Sequence, residues 1–331
     1  MLGGTPVVKR LAFYFGVLGV VGVVTISYGL IYVSQQTYKN ATLETTTEPF
    51  PIGVDPQTAT ITEQTIVPEF YQEHLAQAQQ ANTGWLNRLA SRLQSQAMFQ
   101  QLASATSRIV VIWSGERTEE IANNIGAVLR WDPAQRAEFI ARMETNEFGF
   151  TQGYAVPGQY ITHRYATPED IATVLNQAFT AEVDDRYSDD VQAVVPLSDA
   201  LIIASLIERE ASDFENMREI SGVIWNRLFI DMPLQLDASL QYVKTADDTD
   251  TNFWPAVRPP DKFLDSPFNT YQNGGLPPAP IANPSVAAIV ATLNPRVTDC
   301  LYYFHSRDRE YFCSVTYEEH VRKLRAVYDL E

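Results

Sequence analysis

Two glutamates, Glu208 and Glu210, close the stretch Leu197-Ser-Asp-Ala-Leu-Ile-Ile-Ala-Ser-Leu-Ile-Glu-Arg-Glu-Ala211, and no other residues of the chain are better placed for acid–base chemistry. Ile203, Leu206, Ile207 and Glu210 fall at i, i+3, i+4 and i+7, one face of a 3.6-residue repeat. Glu210 therefore stands where the pattern predicts a core side chain. Glu208 lies about 160° around the helix from it and shares a face with Leu201 and Ala204, so both faces are apolar upstream. Such a helix is normally buried. Burial strips water from a carboxylate, favours its protonated form and raises its pKa, which makes a proton donor near neutral pH. The competing reading is structural: a buried glutamate held by an arginine, with Arg227 and Arg218 nearest in sequence. Residues two apart on a helix point to opposite sides, so the pair cannot jointly flank one glycosidic bond. Any chemistry uses one of them, with the other in support.

The elements around this helix must position it. Ser198 suits its N-cap and Asp199 its positive end. Ser212 or Asp213 can cap a further helix with Met217, Ile220, Ile224 and Leu228 on one stripe and Asn226 and Arg227 near its end. The stretch from Met232 opens extended, and 245–252 reads as a polar surface loop. Ser266-Pro-Phe-Asn-Thr-Tyr271 and the four prolines within 274–284 exclude regular structure, because proline removes a donor and fixes φ. Rigid loop beside an apolar helix implies a shaped cleft. A helix over 285–293, a hairpin and an amphipathic helix over 316–330 complete the chain. Upstream, a short strand over 108–113 and helices over 118–129 and 133–143 make a small α/β unit. Gly153–Tyr160 reads as a loop and 168–183 as a helix.

At 331 residues and a net charge of −16, the chain lacks the basic run a nucleic-acid binder needs. Cys300 and Cys313 are its only cysteines, too few for a thiolate zinc cluster. His163, His305 and His320 have no metal-like spacing and His74 is isolated, so no metal or other cofactor is expected. If Ser306 opposes Tyr311 in the hairpin, Cys313 faces Phe304 and sits about 13 Å from Cys300 along the strand, which predicts two free thiols. Leu11 to Val33 are 23 residues without a charge, behind Lys9-Arg10. That is long enough to cross a bilayer with the N-terminus cytoplasmic. A cleaved signal peptide is the alternative, but no Ala-x-Ala site follows. The expected divisions are a cytoplasmic N-terminus (1–10), a transmembrane helix (11–33), a juxtamembrane linker (34–67), a helical segment (68–105), a small subdomain (106–150) and a catalytic domain (151–331).

Seven blocks, Ala204-Ser-Leu-Ile-Glu-Arg-Glu210, Gly222-Val-Ile-Trp-Asn-Arg-Leu228, Met232-Pro-Leu-Gln-Leu-Asp237, Ser266-Pro-Phe-Asn-Thr-Tyr271, Gly275-Leu-Pro-Pro278, Pro280-Ile-Ala-Asn-Pro284 and Leu293-Asn-Pro295, stand in this order. On them residues 150–330 resemble the YceG-like family, the MltG-type endolytic murein transglycosylases of the bacterial inner membrane. Leu236, Ala238 and Val243 stand where the family usually has Thr, Pro and Gly. The resemblance implies an α+β fold: an N-terminal transmembrane helix, a small, divergent LysM-like α/β subdomain, and a mixed helix and short-strand catalytic domain facing outward from the cell membrane.

The resemblance also implies an activity. The family's catalytic acid is the second Glu of its E-x-E signature, which falls on Glu210. It implies cleavage of the β-1,4 bond between N-acetylmuramic acid and N-acetylglucosamine within peptidoglycan glycan strands, a lyase reaction leaving a 1,6-anhydro end, in the service of cell wall assembly and strand termination. The muramoyl C6 hydroxyl is an internal nucleophile of high effective concentration, so a second catalytic carboxylate is dispensable. Glu208 takes a supporting role. Asn226, Arg227, Gln235, Asp237, Asn269 and Tyr271 are expected to line the cleft, the alternative for each being a loop-stabilising hydrogen bond. Implied partners are glycan strands, the inner membrane and cell-wall synthesis proteins. The rival readings are a hydrolytic muramidase and a membrane-anchored scaffold without activity.

Overall fold

The computed structural model describes residues 48–75, 106–245 and 252–328, and the fold below lies within Pro49–Glu331, one of the chain's two compact units. In chain order it comprises β1 (Val54–Asp55), β2 (Thr60–Ile61), α1 (Val67–Phe70) with a π-helical turn at Tyr71–Leu75, β3 (Ser107–Ile112), α2 (Thr118–Leu129), α3 (Pro133–Met143), β4 (Gly158–His163), α4 (Pro168–Glu182), α5 (Asp189–Val194), α6 (Leu197–Glu210), α7 (Phe214–Phe229), α8 (Asp237–Lys244), α9 (Val286–Leu293), β5 (Tyr302–His305), β6 (Tyr311–Ser314) and α10 (Tyr317–Tyr328). Consecutive strands pair into three two-stranded antiparallel sheets. This is a mixed α+β architecture, as expected. The expected membrane span at 11–33 and helical residues 76–105 lie outside the described residues. Among the described residues no helix is long and apolar enough to cross a membrane.

The glutamate-bearing helix, α6, is the centre of the packing. Leu201, Ile203, Ala204, Leu206 and Ile207 are all fully buried, and α7 and α9 pack against it. It starts earlier than expected, with Pro196 rather than Ser198 at the N-cap. The Ser198 hydroxyl turns to Asp199 instead, because the preset φ of Pro196 already directs the chain into the helix. Glu208 accepts hydrogen bonds from the Ser285 amide (2.9 Å) and hydroxyl (2.6 Å). Ser285 is also the N-cap of α9, accepting from Ala288 N–H. The carboxylate thus sits at the positive end of a helix. Glu208 joins two helices through a serine and not through an arginine.

Helix α7, capped by Asp213 on the Asn216 amide, organises the segment that follows α9. Fully buried Arg218 donates from Nε to Asn294 O (2.9 Å), Trp225 from Nε1 to Thr292 O (2.9 Å), and Asn226 from Nδ2 to Thr298 O (2.6 Å) and Cys300 O (3.1 Å). Gly222 permits the close approach: a Cβ there would stand 2.4 Å from Arg296 O.

Two expected boundaries move. Residues 49–67, expected within a linker, are part of the body: Phe50, Val54 and Val67 are buried, Gly53 N–H donates to Leu293 O (2.8 Å) and Phe50 N–H to Arg186 O (2.9 Å). A segment this short can be held by backbone bonds and three anchors without any periodic pattern. The small unit runs past 150, because the expected loop at Gly153–Tyr160 ends in β4, which pairs with β3 from Ser107↔His163 to Ile112↔Gly158. Its βααβ order places β3 beside α2. Fully buried Asn283 bolts it to the α6 side, accepting from Gly153 and Ala155 N–H (2.8 and 3.0 Å) and donating to Glu116 O (3.0 Å).

The expected free thiols are instead a disulfide, Cys300–Cys313, with Cα atoms 5.8 Å apart. The hairpin register is one residue off the expected one: His305 opposes Tyr311 and Tyr303 opposes Cys313. Cys300 precedes the strand, in a turn where its N–H bonds Thr298 Oγ1 (3.1 Å). The straight-strand distance does not apply there.

Two stability effects follow. The cysteines are 13 residues apart, so reduction should lower unfolding stability by about 2–4 kcal/mol, read from urea midpoints with and without reductant; unchanged midpoints would contradict the cross-link. Ser285→Ala removes both a helix cap and the hydroxyl on Glu208, and thermal melts should show a loss of roughly 1–3 kcal/mol.

Candidate active site

Glu210 is the last residue of α6, where the greasy part of the helix ends and the wall of a cavity of about 240 Å³ begins. Its side chain is half-buried. Oε2 accepts from the Tyr303 hydroxyl (3.2 Å) on β5, and Oε1 faces the Ala238 amide (3.5 Å) in the first turn of α8. Burial holds the Glu210 pKa above the ordinary carboxylate range, against the Tyr303 hydroxyl and the Ala238 amide, which favour the anion; Asp237 pushes it further up and Arg209 pulls it down. Among the described residues no lysine or arginine pairs with it. Arg218 is engaged with Asn294 O, Glu215 and Glu63. Arg227 gives Nε to Leu301 O (2.6 Å) and Nη1 to Leu234 O and Pro233 O. The structural reading of a glutamate clamped by an arginine is therefore not what the chain builds.

The structure brings five of the sequence-predicted residues to this cavity: Glu210, Arg227, Gln235, Asp237 and Tyr271. Asp237 Oδ1 accepts from the Tyr271 hydroxyl (2.7 Å), joining α8 to the loop after Asn269. Gln235 is held with a positive φ of 50°, its amide donating to Thr270 O (3.0 Å), a conformation that costs a side-chain-bearing residue energy and clusters at functional sites. Three others lie elsewhere. Glu208 is engaged by Ser285, and Asn226 reaches the carbonyls of Thr298 and Cys300. Fully buried Asn269 donates to Lys262 O and Leu264 O and accepts from Tyr271 N–H. Those three hold loops.

Three residues that sequence reasoning passed over complete the surroundings. Tyr303, Phe304 and His305 line the same cavity. Tyr303, Arg227, Gln235 and Tyr271 also border a second, of about 530 Å³, walled by Lys262, Tyr302 and α10. The strand alternation that puts Tyr303 and His305 on one face of the hairpin was a usable signal. Burial pushes the His305 pKa down, and its Nε2 meets Asn216 Oδ1 (2.9 Å). Among the described residues no group of three His, Cys, Asp or Glu is disposed to hold a metal. A half-buried carboxyl with one hydroxyl donor and an open cavity can give a proton to a leaving oxygen and take one back.

The YceG-like family model matches residues 56–326. Over 152 residues the chain is 32% identical to an endolytic murein transglycosylase of Streptococcus pneumoniae, a match covering 46% of this chain and 27% of that protein. It is 34% identical over 170 residues to an endolytic murein transglycosylase of Bacillus subtilis, covering 51% of this chain and 46% of that protein. The chain thus spans less than half of these relatives' length. The crystal structure of a YceG-like protein from Listeria monocytogenes superposes with a TM-score of 0.56 at 26% identity, covering 72% of this chain and 80% of that one. With the family match running from just after β1 into α10, the chain belongs to the YceG-like family.

Proposed function

We infer that this chain is an endolytic lytic transglycosylase of peptidoglycan, a lyase with Glu210 as its single acid/base. The observation that carries the reading is a glutamic acid, raised in pKa by burial, paired with no arginine among the described residues and opening on a cavity. The transglycosylase relatives support the reaction class. In the first step protonated Glu210 gives its proton to the N-acetylglucosamine O4 as the bond from the muramoyl C1 breaks. In the second, the muramoyl C6 hydroxyl closes on C1 and its proton passes to the Glu210 carboxylate. The acid is restored, no water is consumed and the product carries a 1,6-anhydro ring. The Tyr303 hydroxyl, 3.2 Å away, stabilises the carboxylate between the steps. Tyr271, Gln235 and Asp237 offer donors and acceptors to the sugars.

The uncharged run at 11–33 would anchor the unit in the cell membrane with its catalytic part outside. The Cys300–Cys313 disulfide supports that side of the membrane, since such bonds persist in oxidising compartments. One observation favours a second reading: Asp237 shares the cavity with Glu210, so a water activated there would make the enzyme a hydrolytic muramidase.

Mass analysis of digested glycan strands separates the two. Anhydro ends are expected, and reducing ends would replace the lyase reading. Glu210→Gln should lower kcat by roughly 10²–10⁴; cleavage at the wild-type rate would remove the assignment. A raised carboxyl pKa means the folded chain binds this proton more tightly than the unfolded one, so stability falls as pH rises through the folded pKa. The Gln variant should therefore gain more in Tm over wild type at pH 8 than at pH 5. Tyr303→Phe removes a donor that favours the anion, so the alkaline fall of kcat/KM should move to higher pH while the rate drops.

A further inference from the structure

The larger cavity, about 530 Å³, lies within the roughly 300–1,000 Å³ range of ligand sites. Its charged lining is Arg227 and Lys262, with no carboxylate, in a chain whose net charge is −16. Arg227 is 7% exposed. Three backbone carbonyls take its Nε and Nη1, and among the described residues Nη2 has no hydrogen-bond partner and the guanidinium no carboxylate. Tyr303, Tyr302 and Tyr271 are the groups that favour its charge. A nearly buried guanidinium left without an anion is costly to keep, and its remaining nitrogen, Nη2, can donate a charge-assisted hydrogen bond to a carboxylate. Lys262 holds its ammonium 4.6 Å from the centre of the Tyr271 ring and, among the described residues, pairs with no acid. His320 adds a buried Nδ1 without a partner.

We propose that this cavity is an anion site, in which Arg227 and Lys262 bind a carboxylate carried on the lactyl branch of the muramoyl sugar while the sugar itself occupies the cavity of Glu210. It rests on the transglycosylase reading for the identity of the sugar. The shared wall supplies the link: Arg227, Gln235, Tyr271 and Tyr303 border both cavities, so one substrate can reach across it. The carboxylate has two sources, the free lactyl acid of a strand stripped of peptide and the acids of an attached peptide.

The test uses the full chain carrying Glu210→Gln, titrated by NMR with N-acetylglucosamine, N-acetylmuramic acid and muramoyl dipeptide. At least one of the two acid-bearing probes should bind about tenfold tighter than N-acetylglucosamine, and Lys262→Met, which keeps the stem on Tyr271 and drops the charge, should weaken that probe about fivefold. Lys262 is the residue to change, because Arg227 also holds three carbonyls of the fold. The acid probe that loses affinity identifies the source. Equal affinity for all three sugars, or no response of either acid probe to Lys262→Met, would overturn the site. Acid-dependent binding by a chain whose wild type cleaves no glycan would leave the site standing and remove the transglycosylase reading.

Discussion

Desolvation of one carboxyl group at the end of α6 is the constraint the rest of the structure serves. Leu201, Ile203, Leu206 and Ile207 are fully buried, each worth about 1.5–3 kcal/mol. Together they outweigh the few kcal/mol that a partly buried, hydrogen-bonded carboxyl costs. The helix can therefore hold Glu210 against the core without a counter-ion. That absence keeps the pKa raised: a guanidinium at about 4 Å would favour the anion and draw it down. Arg227 stands close enough to line the same cavity, and three backbone carbonyls keep its bonding edge turned to the loops.

The loops explain why so many side-chain amides and guanidinium groups face backbone. Irregular segments have no ladder to satisfy their backbone, and their carbonyls, if buried, still need donors. Asn226, Asn269 and Asn283 meet that need at 298–300, 262–264 and 116, as Arg218 does at Asn294. Much of what is recognisable in the seven sequence blocks is therefore architecture: it fixes the walls of a cleft whose chemistry rests on few groups. The departures at Leu236 and Ala238 fall in buried positions flanking Asp237, where they alter packing and leave the carboxylates in place.

The helical stripe that ends in Glu210 was legible because periodicity reports burial directly, and burial is what sets this acid's chemistry. The roles of Asn226 and Asn269 were not legible, since an asparagine that binds sugar and one that binds a carbonyl look alike until the loop is closed. Hairpin register failed for a related reason: a single residue of slip and a turn at Thr298 convert two remote cysteines into a bonded pair. Tyr303 shows the converse. The alternation that aims it at Glu210 was present in the sequence, but which hairpin face meets α7 depends on contacts between elements far apart in the chain.

The two cavities divide charge between them, acids on one side of the Tyr271–Tyr303 wall and bases on the other, with Arg227 in the partition. The division has a consequence for the acid. A substrate carrying its own carboxylate brings a like charge toward Glu210, raising a pKa that burial and Asp237 already hold up. In the proposed mechanism, an acid raised too far would keep its proton in the first step and would not accumulate as the base for the second. Basic groups beyond the tyrosines offset that field without touching the acid. Arg227 and Lys262 border the cavity that would take the incoming charge, and among the described residues neither forms an ion pair with Glu210, so the field can be offset without clamping the acid.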